Sequence, residues 1–144
     1  MDKLLSGILI FVFCAVCSYC DIRKKQLPYS LLVCGLVIAF ACRFIFSRPL
    51  IFSWGINAVC SGLFYFIIRM ITRGRLGIAD VLFGVFQGLV LPGAAALLVC
   101  VLIECICAGV WVVVMRNKSQ TTQSPDFPFI PFMSLGLIIS ILIF

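Results

Sequence analysis

The chain of 144 residues has no histidine and only five acidic residues. Without histidine it cannot build a Ser-His dyad or a His-Glu-x-x-His zinc site, so two large classes of hydrolase are excluded. Charge of either sign is scarce as well: charged residues make up 11% of the chain, against 64% apolar residues and a mean hydropathy of +1.26. That is too little polar material to cover a water-soluble globule of this length, and it identifies an integral membrane protein. Alternation of apolar and polar positions, which a barrel strand needs, is also missing, since long continuous apolar runs such as Leu97 to Met115 dominate. Helices are the remaining way to span a bilayer.

Cysteine is what the chain has in excess, with nine. Cys14, Cys17, Cys34, Cys42, Cys60, Cys100, Cys105 and Cys107 all lie within apolar runs, which favours reduced, buried packing residues over a disulfide framework. Cys14, Cys17 and Cys20 repeat at helical spacing. With no histidine to join them and thiolates costly in lipid, a metal site is not expected there.

Six hydrophobic segments are readable: Leu4 to Cys20, Tyr29 to Phe46, Leu50 to Ile71, Gly77 to Leu91, Gly93 to Met115 and Phe127 to Phe144. At about 20 residues per span, six helices use roughly 120 positions and leave little for loops. The expected fold is therefore an all-α integral membrane protein of about six transmembrane helices, with residues 1–144 forming a single membrane-embedded domain. Positive charge sets its orientation. The first, third and fifth connections with their flanks hold Arg23, Lys24, Lys25, Arg69, Arg73, Arg75, Arg116 and Lys118, whereas the other side holds Lys3, Arg43 and Arg48. Eight against three places the odd connections in the cytoplasm and both termini outside. The first segment is read as a span and not a cleaved signal peptide, because cleavage would export Arg23-Lys24-Lys25 and no A-x-A-like site precedes them. The net charge of +6 is then a topology signal with the lipid bilayer as its natural partner, and no stripe for nucleic acid stands out.

The acids are Asp2, Asp21, Asp80, Glu104 and Asp126. Asp21 closes the first segment and Asp80 opens the fourth, so the charge-based topology brings both to the cytoplasmic membrane surface. Taken alone, Asp21 reads equally well as an interfacial acid paired with Arg23 or Lys24. Asp80 lies three residues inside an apolar segment, where an ionised carboxylate is expensive unless compensated, and it is a functional candidate by default. Its segment of 15 residues, at about 1.5 Å each, is shorter than the roughly 30 Å hydrocarbon core, which suits a thinned or wet pocket. Two carboxylates close enough to share a proton provide an acid and a base at once, because like charges push their ionisations apart. Glu104, near the middle of the fifth segment, reads either as part of a proton pathway or as a hydrogen-bond partner for a facing helix through Asn57 or Gln87, with the second favoured.

Three stretches, taken in order, resemble the type IV prepilin peptidase family, the GxGD-type membrane aspartyl proteases. Asp21, Arg23, Lys25 and Leu27-Pro28 resemble its first aspartate motif, of the form D-x-x-x-x-x-I-P-N. Gly77-Ile78-Ala79-Asp80 resembles its G-x-G-D, and Pro128-Phe129-Ile130-Pro131-Phe132-Met133-Ser134-Leu135-Gly136 is similar to its P-F-G-P-F-L-x-x-G stretch. The resemblance implies an aspartic endopeptidase with Asp21 and Asp80 as the catalytic pair. Arg23, Lys25, Pro28, Gly77, Ala79, Pro128, Phe129 and Pro131 would shape the site or meet substrate, and neither metal nor cofactor is implied. It further implies pilin-like membrane protein substrates, cut at the cytoplasmic edge of a bacterial or archaeal inner membrane. The chain departs from the family pattern at Tyr29, Ala79, Leu82 and Ile130, where asparagine, glycine, lysine and glycine are usual. Nothing in it matches the methyltransferase insertion of larger members, so methylation is not expected. Two other classes stay open on the residues alone: a small transporter or proton-pathway subunit using Asp80 and Glu104, and a non-catalytic membrane assembly subunit in which acids and arginines pair between helices.

Overall fold

The computed structural model describes residues 2–24, 28–46, 51–73, 76–118 and 129–144. Among them are six helices and no strand: α1 (Asp2–Lys24), α2 (Tyr29–Phe46), α3 (Ile51–Ile71), α4 (Ile78–Val90), α5 (Ala94–Lys118) and α6 (Ile130–Ile143). The expected connections at 47–49 and 119–126 lie outside the described residues.

Proline marks the breaks. Pro28 precedes α2, and its carbonyl accepts the Leu31 N–H at 3.0 Å as that helix starts. Leu91, held extended before Pro92 at ψ 140°, ends α4, as the residue ahead of a proline must leave the helical region. Pro131 occupies the first turn of α6, where its missing N–H costs nothing. Helix α3 ends differently, on Arg73 at a φ of 53°, the left-handed position that commonly follows a helix C-terminus. Two segment ends require correction. Nothing between Cys20 and Lys24 interrupts a helix, so α1 continues through Asp21 to Lys24 and does not stop at Cys20. Likewise α5 continues past Met115 to Lys118.

The helices assemble around two hubs. Helix α4 packs against α3 and α2, and α6 packs against α5 and α1; the hubs touch each other, and α3 meets α5. The α3–α4 seam is tight because of Gly88, where an added Cβ would come within 2.4 Å of the Asn57 carbonyl oxygen. Across the hubs, the rings of Phe13 on α1 and Phe86 on α4 meet tilted by 41°, with centroids 4.7 Å apart.

The distribution of polarity is that of a protein surrounded by an apolar medium. Buried polar side chains include Asn57, Ser61, Asp80, Gln87, Glu104, Ser134 and Ser140, whereas large apolar side chains such as Val37, Ile67, Leu98, Leu102 and Ile106 face outward. Two of the described helices, over Phe52–Ile71 and Ala94–Val114, are long and apolar enough to cross a membrane; the apolar stretches Tyr29–Ala41, Ile78–Val90 and Ile130–Ile143 are shorter. The expectation that the cysteines pack inside needs correction. Cys14, Cys17 and Cys100 are buried, but Cys34, Cys60 and Cys105 are exposed on outward helix faces, where a small apolar thiol is compatible with an apolar surrounding.

Candidate active site

Asp80 is positioned by its own turn. Gly77 is the N-cap of α4, and its backbone N–H donates to Asp80 Oδ2 at 2.9 Å, the reciprocal arm of a capping box. A carboxylate in the first turn of a helix also meets the positive end of the helix dipole. These two features explain how an acid is tolerated at a site that is 9% exposed. Ala79, the neighbour within the motif, is half-buried and packs against the core. Gly77 approaches the carboxylate closely, since an added Cβ would lie 3.2 Å from Oδ2.

The preceding turn brings in Arg69, from the last turn of α3. Its guanidinium donates to the Leu76 carbonyl, tying the end of α3 to the start of α4, and its charge acts on Asp80. Thr72 supports the same corner by donating its hydroxyl to the Ile68 carbonyl at 2.8 Å. Arg69 enters the sequence reading only as a topology charge. Its position one helical turn after Tyr65, immediately ahead of the Gly77 motif, was the available signal.

Asp21 reaches the same place from the other hub. It lies in the last turn of α1, one residue beyond the apolar run Leu4 to Cys20, and is half-buried. The backbone N–H of Ile130, in the first turn of α6, donates to its carboxyl. Among the described residues its Oδ2 is buried with no hydrogen-bond partner. Burial raises the Asp21 carboxyl above its ordinary ionisation range, and the Ile130 N–H opposes that rise. One turn further along the α1–α6 seam, Ser18 Oγ donates to Ser134 Oγ at 3.0 Å.

The two carboxyl groups, 59 positions apart in sequence, are within electrostatic reach of each other, and the charge of Asp21 acts on Asp80. The structure therefore brings together Asp21 of the first motif, Asp80 with its Gly77 cap, and Ile130 at the start of α6. The remaining candidates distribute unevenly. Phe129 flanks the site, its ring edge-on to Tyr65 with centroids 6.4 Å apart, and Pro131 follows Ile130 in the same turn. Pro28 and Gly77 are exposed. Arg23 does not pair with Asp21; its guanidinium lies over the Tyr19 ring, 5.6 Å from the centroid, a cation–π contact on the outer face of α1. Lys25 and Pro128 lie outside the described residues. No group of three or more metal-ligating side chains converges among the described residues.

Two adjacent carboxyls with different local donors can divide the roles of general acid and general base, because a hydrogen bond or a neighbouring charge displaces each ionisation separately. With no histidine in the chain, neither a His-Glu-x-x-His zinc site nor a Ser-His dyad can be assembled.

Residues 8–113 fit the family described as the Type IV leader peptidase family, peptidase A24. That span holds both aspartate motifs and ends before α6. Neither a curated protein nor a solved structure matches the chain.

Proposed function

The chain belongs to the Type IV leader peptidase family, and from that premise we propose that it is an aspartic endopeptidase with Asp21 and Asp80 as its catalytic pair. Its substrates in this reading are prepilin-like or pseudopilin-like membrane proteins, whose leaders it cuts at the cytoplasmic edge of a bacterial or archaeal inner membrane. The observation that carries the reading is the meeting of Asp21 and Asp80 across the two hubs, within electrostatic reach and each with a backbone N–H donor.

In the reaction one carboxyl of the pair is ionised and the other protonated. The ionised one removes a proton from water as the water oxygen attacks the scissile carbonyl carbon; the protonated one donates to the carbonyl oxygen. Collapse of the tetrahedral intermediate breaks the C–N bond: the leaving nitrogen takes the proton gained from water, and the hydroxyl formed from the carbonyl returns its proton to the carboxyl that gave it. The pair titrates as a unit, so acid and base are properties of the dyad.

The membrane arrangement belongs to the same reading. Six spans, with both termini outside, put the α1–α2 and α3–α4 connections and the start of α6 on the cytoplasmic side, in agreement with the bias of positive charge. The short helices α4 and α6, of 13 and 14 residues, pack against each other and against the longer ones, where a reduced membrane thickness is tolerable. The six helices pack into one connected set through α4 and α6, which supports treating residues 1–144 as one peptidase domain. Pro28, Gly77, Ala79, Phe129 and Pro131 shape its site in this reading.

The test is cleavage of a panel of prepilin-like membrane peptides by purified protein in proteoliposomes. Asp21→Asn and Asp80→Asn should each lower the rate by about 10²-fold or more while the protein remains folded. Retained cleavage in either variant rejects the pair.

A further inference from the structure

A second buried polar cluster lies deeper in the molecule and takes no direct part in the proposed chemistry. Its centre is Glu104 on α5, which is 1% exposed. Tyr65 on α3 donates its hydroxyl to Glu104 Oε2, Gln87 on α4 donates its amide to Oε1, and the Cys100 thiol donates to Oε1 at 3.0 Å. The same Gln87 Nε2 also donates to the Met133 carbonyl of α6 at 3.0 Å. Helix α6 has to come very close to receive this contact, and Gly136 allows it: a Cβ there would lie 2.6 Å from Glu104 Cγ and 2.8 Å from the Cys100 carbonyl oxygen.

Two arms run from this centre to the first turn of α6. One goes from Glu104 through Gln87 to Met133; the other goes from Glu104 through Tyr65 to the ring of Phe129. Between Phe129 and Met133 lies Ile130, whose N–H faces Asp21. Gln87 is also seven residues, about two helical turns, beyond Asp80 on α4, so the cluster is fixed to the helix that carries the other carboxyl. A carboxyl with three donors and no charged partner is an expensive arrangement in an apolar interior unless its geometry is tightly defined.

We propose that Glu104, Gln87 and Tyr65 are positioning residues that register the first turn of α6 against α4, and so hold the Ile130 N–H on Asp21 beside Asp80. This rests on the reading of Asp21 and Asp80 as the catalytic pair. Losing that register withdraws a donor from Asp21, and a carboxylate that loses a donor ionises less readily. The charge of Asp21 in turn bears on Cys17 of its own helix and on Asp80 of α4, the latter also subject to Arg69 of α3. Helix α6 contributes no charged or titratable side chain.

The experiment compares Gln87→Met, which keeps the side-chain length and removes both polar arms, and Tyr65→Phe, which keeps the ring against Phe129 and removes the hydroxyl. Each is followed by kcat, KM and the pH dependence of kcat on a cleaved peptide, beside Asp21→Asn. In both variants kcat should fall about 10- to 100-fold, with Gln87→Met the more affected, KM should stay within about twofold, and the acid limb should move to higher pH. Wild-type kcat and pH profile in both variants would overturn the proposal. So would a joint loss of folding and activity with the acid limb unmoved, which is the behaviour of a merely structural cluster. Cleavage surviving in Asp21→Asn would instead break the assignment of the pair. Register is also read without activity. A Ser18→Cys, Ser134→Cys pair, whose native hydroxyls are 3.0 Å apart, should cross-link several-fold more slowly when Gln87→Met is added, and an unchanged rate counts against the proposal.

Discussion

The two aspartates are held by opposite means. Asp80 is fixed by its own stretch of chain, residues 69–80: Gly77 caps its helix and donates to its carboxylate, and Arg69 closes the corner that delivers it. Among the described residues, Asp21 has no comparable partner close to it in sequence. Its donor is the N–H of Ile130, more than a hundred residues away, on a helix that is itself seated by bonds to α1, α4 and α5. The difference teaches that one half of the site forms with its turn, while the other half exists only when both hubs have come together. A carboxyl pair built this way is assembled by folding of the whole helix set, which keeps an unsolvated acid pair from arising in a partly packed chain.

The comparison can be broken from either side. The largest effect is expected at the seat of α6. Gly136→Ala places a methyl against Glu104 and the Cys100 backbone, and overpacking of this kind costs about 1–3 kcal/mol. Thermal denaturation in detergent should show that loss, together with reduced cleavage, because the displaced helix carries the donor for Asp21. Full stability in Gly136→Ala would mean that α6 is not seated as described.

On the other side, Gly77→Ala should separate activity from stability. Gly77 has a φ of −66° and ψ of 155°, which alanine adopts without strain, so the substitution should leave stability unchanged or raise it by up to about 1 kcal/mol. Its methyl, 3.2 Å from Oδ2, forces the Asp80 carboxylate to give by a few tenths of an ångström. Cleavage should fall several-fold in a protein that melts no earlier than wild type. Unimpaired cleavage would show that the carboxylate's position is not set by its cap.

The smallest effect is a pH dependence of stability. Burial raises the Asp21 carboxyl above its ordinary value, so the folded state binds that proton more tightly than the unfolded one. The resulting contribution is fully present below the unfolded value, about 3.9, and is lost as pH rises through the folded one. Asp21→Asn, which mimics the neutral form, should therefore melt slightly above wild type at neutral pH, with the two converging as pH falls towards 4. A gap that widens with acidity would contradict the stated burial.

Much of the fold is legible in the sequence, for physical reasons that particular residues make plain. Tyr29–Phe46 is bounded as expected because Pro28 starts it, and the ends of α3 and α4 follow the apolar runs to within a residue. Asp80 stands out because an acid inside an apolar run is costly, and Gln87 is found opposite Glu104, as one of two partners the sequence suggests. Other features leave no such trace. The Ile130 N–H is a backbone group and carries no residue-type signal. That α4 and α6 are the hubs follows from close approaches at Gly88 and Gly136 that only three-dimensional packing reveals. Apolarity does not mark the end of α1, because a helix continues into polar residues, here Asp21 to Lys24, when no breaker intervenes.

The most direct test of the central claim, that Asp21 and Asp80 act as one unit, is a double-mutant cycle on cleavage with Asp21→Asn, Asp80→Asn and the doubly substituted protein. If they share a proton in one reaction, the double variant should be no slower than either single one, because each substitution alone already removes the unit. Losses that multiply, or a single variant that still cleaves, would contradict a shared site.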